Sequence, residues 1–477
     1  MLASFGGSSV LNYTFGIIMG WLLLPGDFGL LAFAQTILLV AGLVLQSGFP
    51  WSLAREVAKA DESETHGLVR GTIIANLTLA SLMGSVLLML FALGPLRAGL
   101  ETTTVAVVVA LSFPFISFVA GIRGYAQGLE RFDMVATLQV AEILFKALIG
   151  TALVLLGLGV AGAVAGFLLG GVLAATLGSR FLIHNNLQLR GRLDLPDMRK
   201  VAPIFGSLLG LSLLLNLDLA ALKLLSNVRV LTGYYQAGVV LANAPFYLVS
   251  TAMVTVLFVQ LAHFKSITST RQAVGKTLTL AAALVFPFEV VLMILPGQAL
   301  TLFFPESYAP GAPALRLLAI GNTLLIVVAI LSAAFQAIGQ GKIPARILLV
   351  VAFIEVMALA VIVPTWKTTG AASVFIAASS TALLLLGRVY LQKSGTETAR
   401  RAASWLSRYG IAVGLGTGTG YLVSRVSSPV DLAVAAGVIC YLLVLLPLRL
   451  VTLPALLKDR TALRAALQTA FRKATRP

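Results

Sequence analysis

The chain of 477 residues is 58% hydrophobic and only 11% charged, with a mean hydropathy of +0.97 and a formal charge of +16. Soluble domains carry about 25% charged residues, so the composition excludes a soluble protein and specifies a polytopic membrane one. One cysteine, Cys440, leaves no internal disulfide framework and no zinc spacing, and three scattered histidines (His66, His184, His263) give no metal cluster.

A membrane span needs about 20 apolar residues. In chain order the apolar runs fall at 3–24, 29–50, 68–93, 103–124, 134–156, 161–183, 203–225, 233–258, 277–296, 312–338, 346–364, 370–392, 409–425 and 431–453, which is about fourteen helices. No basic residue precedes the first run, so it reads as a true span and not a cleaved leader. Alternate loops are rich in Lys and Arg, and about 27 of the 34 basic residues fall on one side. By the positive-inside rule that side is cytoplasmic and holds both termini. Trp21, Trp51 and Trp366 stand at expected helix ends, where an amphipathic ring is favoured. The net charge is thereby explained by orientation and anionic lipid headgroups, which argues against nucleic acid as a partner. In the tail 454–477, Leu456, Leu463, Leu467 and Phe471 share a stripe, as in an interfacial helix, and the segment 185–200 reads similarly.

Charges inside apolar spans cost at least about 2.5–3.5 kcal/mol each on insertion scales and need water, a partner or a substrate. In chain order, Asn12 in the first span either lines a seam or hydrogen-bonds across helices. Arg123, at the inner end of the fourth, is placed to meet a phosphate at a mouth. Glu142 and Lys146 are four apart with the acid first, the favoured order for a helical ion pair. That spacing favours a self-neutralising clamp over a substrate contact. Asn216 and Asp218 lie well inside the seventh span, and Lys223 near its outer end can snorkel. Asp218 and Lys223 are about 140° apart around the helix, so Asp218 needs a partner on another helix or in a cavity. Its two readings are cavity lining or ion coupling, and an interhelical clamp. Pro287 bends the ninth span just before Glu289, a candidate gating hinge. Glu355 reads as structural. Arg316, at the outer end of the tenth, can meet a phosphate or latch to Glu306.

The spans divide into six at 1–184, a linker at 185–202, six at 203–392, two more at 409–453 and the tail. Six is even, so the two sets enter from the same side and form a parallel repeat. Asn12 lies seventeen residues before Gly29, and Asn216 seventeen before Gly233. "GLGVAGAVAGF" (157–167) echoes "KTTGAASVFIA" (367–377). Together with "LLPGDFGLLAFAQTI" (23–37), "GFPWSLARE" (48–56), "NLDLAALKLLSNVRVLTGYYQAGVVL" (216–241), "LFFPESYAPGAPALRLLAIG" (302–321) and "AFQAIGQGKIPAR" (334–346), these stretches cover nearly the whole chain. The chain resembles the multidrug/oligosaccharidyl-lipid/polysaccharide exporter superfamily, in its polysaccharide-transporter branch. The basic segment usual before the first helix is missing here.

The resemblance implies an all-α fold of two six-helix bundles around a V-shaped polar cavity, with helices 1, 2, 7 and 8 lining it and rocker-switch alternating access. It implies a flippase, not an enzyme, that carries a polyprenyl-pyrophosphate-linked oligosaccharide from the cytoplasmic to the outer leaflet of the cytoplasmic membrane. Membrane lipids and polysaccharide assembly enzymes are the expected partners. No cofactor is expected, and the coupling ion is left open between proton and sodium. A lipid II flippase remains open. A twelve-helix multidrug exporter fits less well because of the extra pair at 409–453. A membrane glycosyltransferase or polymerase fits poorly, because the external loops are short and poor in acids. No phosphate-cradling Gly-rich loop with Lys-Ser/Thr exists to bind ATP.

Overall fold

The computed structural model describes residues 2–184, 193–247 and 267–394, with further positions scattered through 408–443. Among the described residues every regular element is helical. The first half contains α1 (Leu2–Leu22), α2 (Pro25–Ser47), α3 (Phe49–Val57), α4 (Glu62–Leu93), α5 (Arg97–Leu100), α6 (Thr103–Gly128), α7 (Phe132–Leu153) and α8 (Gly159–His184). The second contains α9 (Ala202–Leu214), α10 (Leu217–Leu225), α11 (Arg229–Pro245), α12 (Ile267–Leu284), α13 (Phe286–Ile294), α14 (Pro296–Phe303), α15 (Ala312–Ala337) and α16 (Lys342–Ser394).

Seven helical stretches among the described residues are long and apolar enough to cross a membrane, or eight if the bent pair α9 and α10 counts as one. Two of the seven, Phe132–His184 and Lys342–Ser394, have 53 residues each, about 80 Å if straight, and both fold back on themselves. The first reverses at Gly157, whose φ of 88° is a left-handed conformation open to glycine. The second reverses at Lys367, with φ of 49°. These two residues begin the two stretches that echo each other in sequence. The first twelve expected spans fall mostly on helix where they are described, with interruptions such as Gly48, Leu215–Asn216 and Val285.

Two spans are interrupted. The seventh divides at Leu215–Asn216 with a bend of 46°. The Asn216 side chain donates to the Ser212 carbonyl at 2.7 Å, a local bond of the kind that lets an amide compete with helix continuation. The ninth divides at Val285, and Pro287 stands in the first turn of α13, where a missing N–H costs nothing. The proline thus stands just past an irregularity in a stretch, Thr270–Ile294, that runs on as one span.

The halves meet where α2 crosses α11. A Cβ on Gly29 would lie 2.7 Å from the Gly233 nitrogen, and one on Gly233 would lie 1.7 Å from the Pro25 carbonyl oxygen. Small residues allow such backbone approach in a membrane, where packing replaces the hydrophobic drive between helices. The sequence-equivalent glycines touch each other, as equivalent points near a two-fold axis must. Elsewhere amides tie helices together. Asn76 donates to the carbonyls of Leu45 and Ser117 at 2.9 and 3.2 Å, and Asn322 to Asn243 at 2.9 Å. Asp197 N donates to Glu56 at 2.6 Å, which seats the end of the linker on α3. Late in the chain, a Cβ on Gly416 would lie 2.8 Å from Cβ of Tyr441, and one on Gly437 2.7 Å from Ile294. The masked stretches 424–435 and 444–453, the interfacial helix expected in the tail, linker residues 185–192 and the end of the eighth span lie outside the described residues.

Candidate substrate cavity

A cavity of about 370 Å³ lies between the halves, walled by α1, α2, α7, α10 and α11 among others. Asn12 and Asn216, equivalent in the sequence repeat, both line it, as do Gln35, Gln236, Asn243, Glu142 and Lys146. Lys146 is 8% exposed, and its ammonium donates to the Asn12 side-chain oxygen. It also stands 5.2 Å from the ring centre of Phe15 and 4.7 Å from that of Phe167. Two aromatic faces and an amide oxygen stabilise a cation without neutralising it. Lys146 therefore presents a nitrogen donor to the cavity, with Glu142 one turn away in the same wall.

The helical spacing of Glu142 and Lys146 predicts that they pair, and the structure corrects this. Glu142 accepts from Arg123 at 3.0 Å, across the gap from α7 to α6. A planar guanidinium from a neighbouring helix is a better carboxylate partner than an ammonium one turn along, and Lys146 is left to Asn12. Arg123 is thus occupied.

This ion pair borders a second cavity of about 510 Å³. Arg123, Gln46, Trp51, Gln127 and Gln139 are in its wall, and it shares Leu38, Leu39 and Gln46 with the first. The two spaces form one path along α2. Gln35 and Gln46, three turns apart, mark it on that helix, while Gln139, Glu142 and Lys146 mark it on one face of α7.

The far end of the path is closed. Lys223 is buried and pairs with Glu101 at 2.5 Å, so the expectation that it snorkels is overturned. Charge neutralisation at a buried site outweighs reaching for water. Arg229 completes the group, 2.7 Å from both Asp27 and Glu101. Both acids come from the first half and both bases from the second. Beneath them, Phe28, Phe304 and Tyr308 form an aromatic cluster with centroids 5.5–5.9 Å apart. Tyr308 donates to the Leu23 carbonyl at 3.1 Å, and Trp21 to that of Phe303 at 2.8 Å. The latch expected between Arg316 and Glu306 is replaced by this cluster. Arg316 donates instead to the Met293 carbonyl at 2.9 Å.

Asp218 is 1% exposed and does find its partner on another helix. It accepts from Tyr235 of α11 at 2.5 Å and from the Leu219 nitrogen at 2.7 Å. Glu355 lies within electrostatic reach of it. Glu289 is fully buried beside α15, with neither carboxyl oxygen hydrogen-bonded among the described residues. Neither Asp218 nor Glu289 lines either cavity.

A sequence model of the family described as "Polysaccharide biosynthesis protein" matches residues 2–259, more than half the chain. The chain belongs to that polysaccharide biosynthesis protein family. Membership places it in the exporter superfamily and branch that the sequence resembles. A search of curated proteins gives no match. Among solved structures the chain is similar to the lipid II flippase MurJ in an inward closed conformation, with 13% identity and a TM-score of 0.72 over 92% of this chain and 96% of that one. It is similar to an inward-facing multidrug resistance MATE family transporter, with 15% identity and a TM-score of 0.56 over 80% and 94%. A third is the MATE multidrug transporter DinF-BH in complex with R6G, with 14% identity and a TM-score of 0.58 over 81% and 92%. At such identities the likeness is one of fold, a multi-pass helical membrane bundle.

In this family member, sequence reasoning missed Asp27, Glu101 and Arg229 as an ion cluster across the halves and the glutamines as a wall. The signal for the glutamines was present: amides recurring at helical spacing inside otherwise apolar spans.

Proposed function

We propose that the chain is an alternating-access flippase that moves a polyprenyl-(pyro)phosphate-linked oligosaccharide from the cytoplasmic to the outer leaflet for surface polysaccharide biosynthesis. The observation that carries this reading is the cavity between the halves, with Lys146 in its wall and one end closed by ions and aromatics. An anionic headgroup needs such a donor, and a polar glycan needs amide walls. The family match supports a role in polysaccharide synthesis. The basic loops put the Trp51 end in the cytoplasm and the Asp27 end outside. On that reading this is an inward-facing form in the cytoplasmic membrane, with both termini inside. The repeat units are 1–184 and 203–392, joined by the linker 185–202, with 409–453 added and 454–477 a cytoplasmic tail. Asp218 with Tyr235 is offered as the ion-responsive element, proton and sodium both being open, and polysaccharide assembly enzymes as neighbours.

A second reading, a flippase for lipid II, is favoured by one observation: the TM-score of 0.72 to MurJ exceeds those of 0.56 and 0.58 to the multidrug transporters. Proteoliposomes holding the full chain separate the readings. A lipid-linked oligosaccharide and lipid II are offered in one leaflet, and their appearance in the other is followed. Translocation of the first alone supports the main reading, and of lipid II alone the second. Transport of neither, with efflux of a cationic dye, sinks both.

A further inference from the structure

The second cavity has no assigned occupant. Its wall differs from that of the first in kind. Its cation, Arg123, is bound to Glu142 at 3.0 Å, whereas Lys146, in the wall of the first, makes its hydrogen bond to the neutral Asn12 amide. The rest of its polar wall is Ser47 and three amides: Gln46 on α2, Gln127 on α6 and Gln139 on α7. No hydrogen bond ties up these three side chains within the described residues. Each amide carries both a donor and an acceptor face, which suits a hydroxyl-rich neutral molecule and gives nothing special to a phosphate.

Trp51 supplies the other half of the pattern. A tryptophan at a span end is usually a lipid-facing anchor, and Trp21 and Trp366 behave so, being 60% and 67% exposed. Trp51 instead is half-buried on α3 and faces the cavity. The reason is local. α3 is pressed onto α6, where a Cβ on Gly124 would lie 2.5 Å from the Pro50 carbonyl oxygen. That contact turns the indole inward. An indole plane beside several amides offers the apolar C–H face of a sugar ring a surface and its hydroxyls partners. The size, about 510 Å³, lies in the range of about 300–1,000 Å³ usual for small-molecule sites.

We propose that this cavity is a glycan subsite: Trp51 stacks on a sugar of the lipid-linked substrate, and Gln46, Gln127 and Gln139 read its hydroxyls, while the adjoining cavity takes the phosphate at Lys146. The proposal rests on the flippase reading. The order fits the substrate, since sugar and phosphate are directly bonded and the two cavities share a wall.

The test uses the full chain purified in detergent and two probes, a polyprenyl pyrophosphate and the same lipid carrying one hexose, with affinities read by native mass spectrometry. The wild type should bind the hexose-bearing probe at least about tenfold more tightly, the equivalent of one or two neutral hydrogen bonds. Gln127→Leu with Gln139→Leu, and Trp51→Leu separately, should abolish that preference while leaving the bare lipid within about twofold. Trp51→Phe should keep most of it. Lys146→Met should weaken both probes alike. A preference that survives the glutamine and tryptophan changes overturns the subsite and leaves the flippase reading standing. So does a wild type that binds both lipids equally, or variants that lose both in parallel. A wild type that binds neither probe removes the flippase reading and the subsite together.

Discussion

Glu142 has two cations within reach of its chemistry and takes the one on the other helix. Arg123 and Glu142 have side chains only 14% and 20% exposed, so their pairing should be measurable. A double-mutant cycle of Arg123→Gln and Glu142→Gln, read by thermal unfolding of the purified protein, should give a coupling of about 1–3 kcal/mol. The cycle of Glu142→Gln and Lys146→Met should stay below about 0.5 kcal/mol; a larger value there would restore the pair that the helical spacing predicts. The closed end gives a second contrast. Glu101 serves the buried Lys223 and Arg229, whereas Asp27 serves Arg229, which is 53% exposed. Glu101→Gln strips a buried ammonium of its counter-charge and should cost about 3–5 kcal/mol, against about 0–1 kcal/mol for Asp27→Asn. Equal losses in the two variants would show that Lys223 is not held by Glu101. The candidate site was half legible. Charge and amide groups are conspicuous in an apolar sequence, so Asn12, Glu142, Lys146 and Asn216 could be picked out, and all four line the first cavity. Their partners were not, because pairing along one helix is visible in spacing while pairing between helices depends on which faces meet.

At the scale of elements, the apolar runs were enough to place helices, since a bilayer demands one unbroken apolar length per pass. They were not enough to place breaks. The interruption at Asn216 comes from a side-chain bond of 2.7 Å to Ser212, and no hydropathy window registers that. The crossing of α2 and α11 was legible only as a weak recurrence of glycine. Its mechanical meaning is a prediction. Gly233→Ala puts a Cβ 1.7 Å from the Pro25 oxygen, and a backbone atom cannot swing away. It should destabilise by about 3 kcal/mol or more and separate the halves. Gly16→Ala, whose Cβ would rest 3.6 Å from Val240, should be nearly silent. Size-exclusion profiles and thermal unfolding of the two variants compare them directly, and a well-behaved Gly233→Ala protein would show that the crossing is looser than described.

For the whole molecule, orientation was read from charge alone and is open to direct measurement. Arg131 lies in a connection with its side chain 52% exposed, and Lys367 forms the reversal of the last hairpin described. In a chain whose single cysteine has been replaced, Arg131→Cys should react with an impermeant maleimide only after the membrane is opened. Lys367→Cys should react in intact cells. The reverse pattern would invert the transporter and, with it, the direction assigned to the closed end.

The clasp at that end is sorted by sign: acids on one side of the seam, bases on the other. Once parted, the two rims would face each other as unlike plates and draw the molecule shut again without any ligand. This restoring pull acts through water, where salt shortens its range from about 30 Å at 0.01 M to about 3 Å at 1 M. On the proposed orientation and gating, the medium outside the cell should therefore set how long this end stays ajar. Spin labels placed across the rims should report a longer-lived open population as external salt is raised, while a protein carrying Asp27→Asn and Glu101→Gln should be indifferent to it.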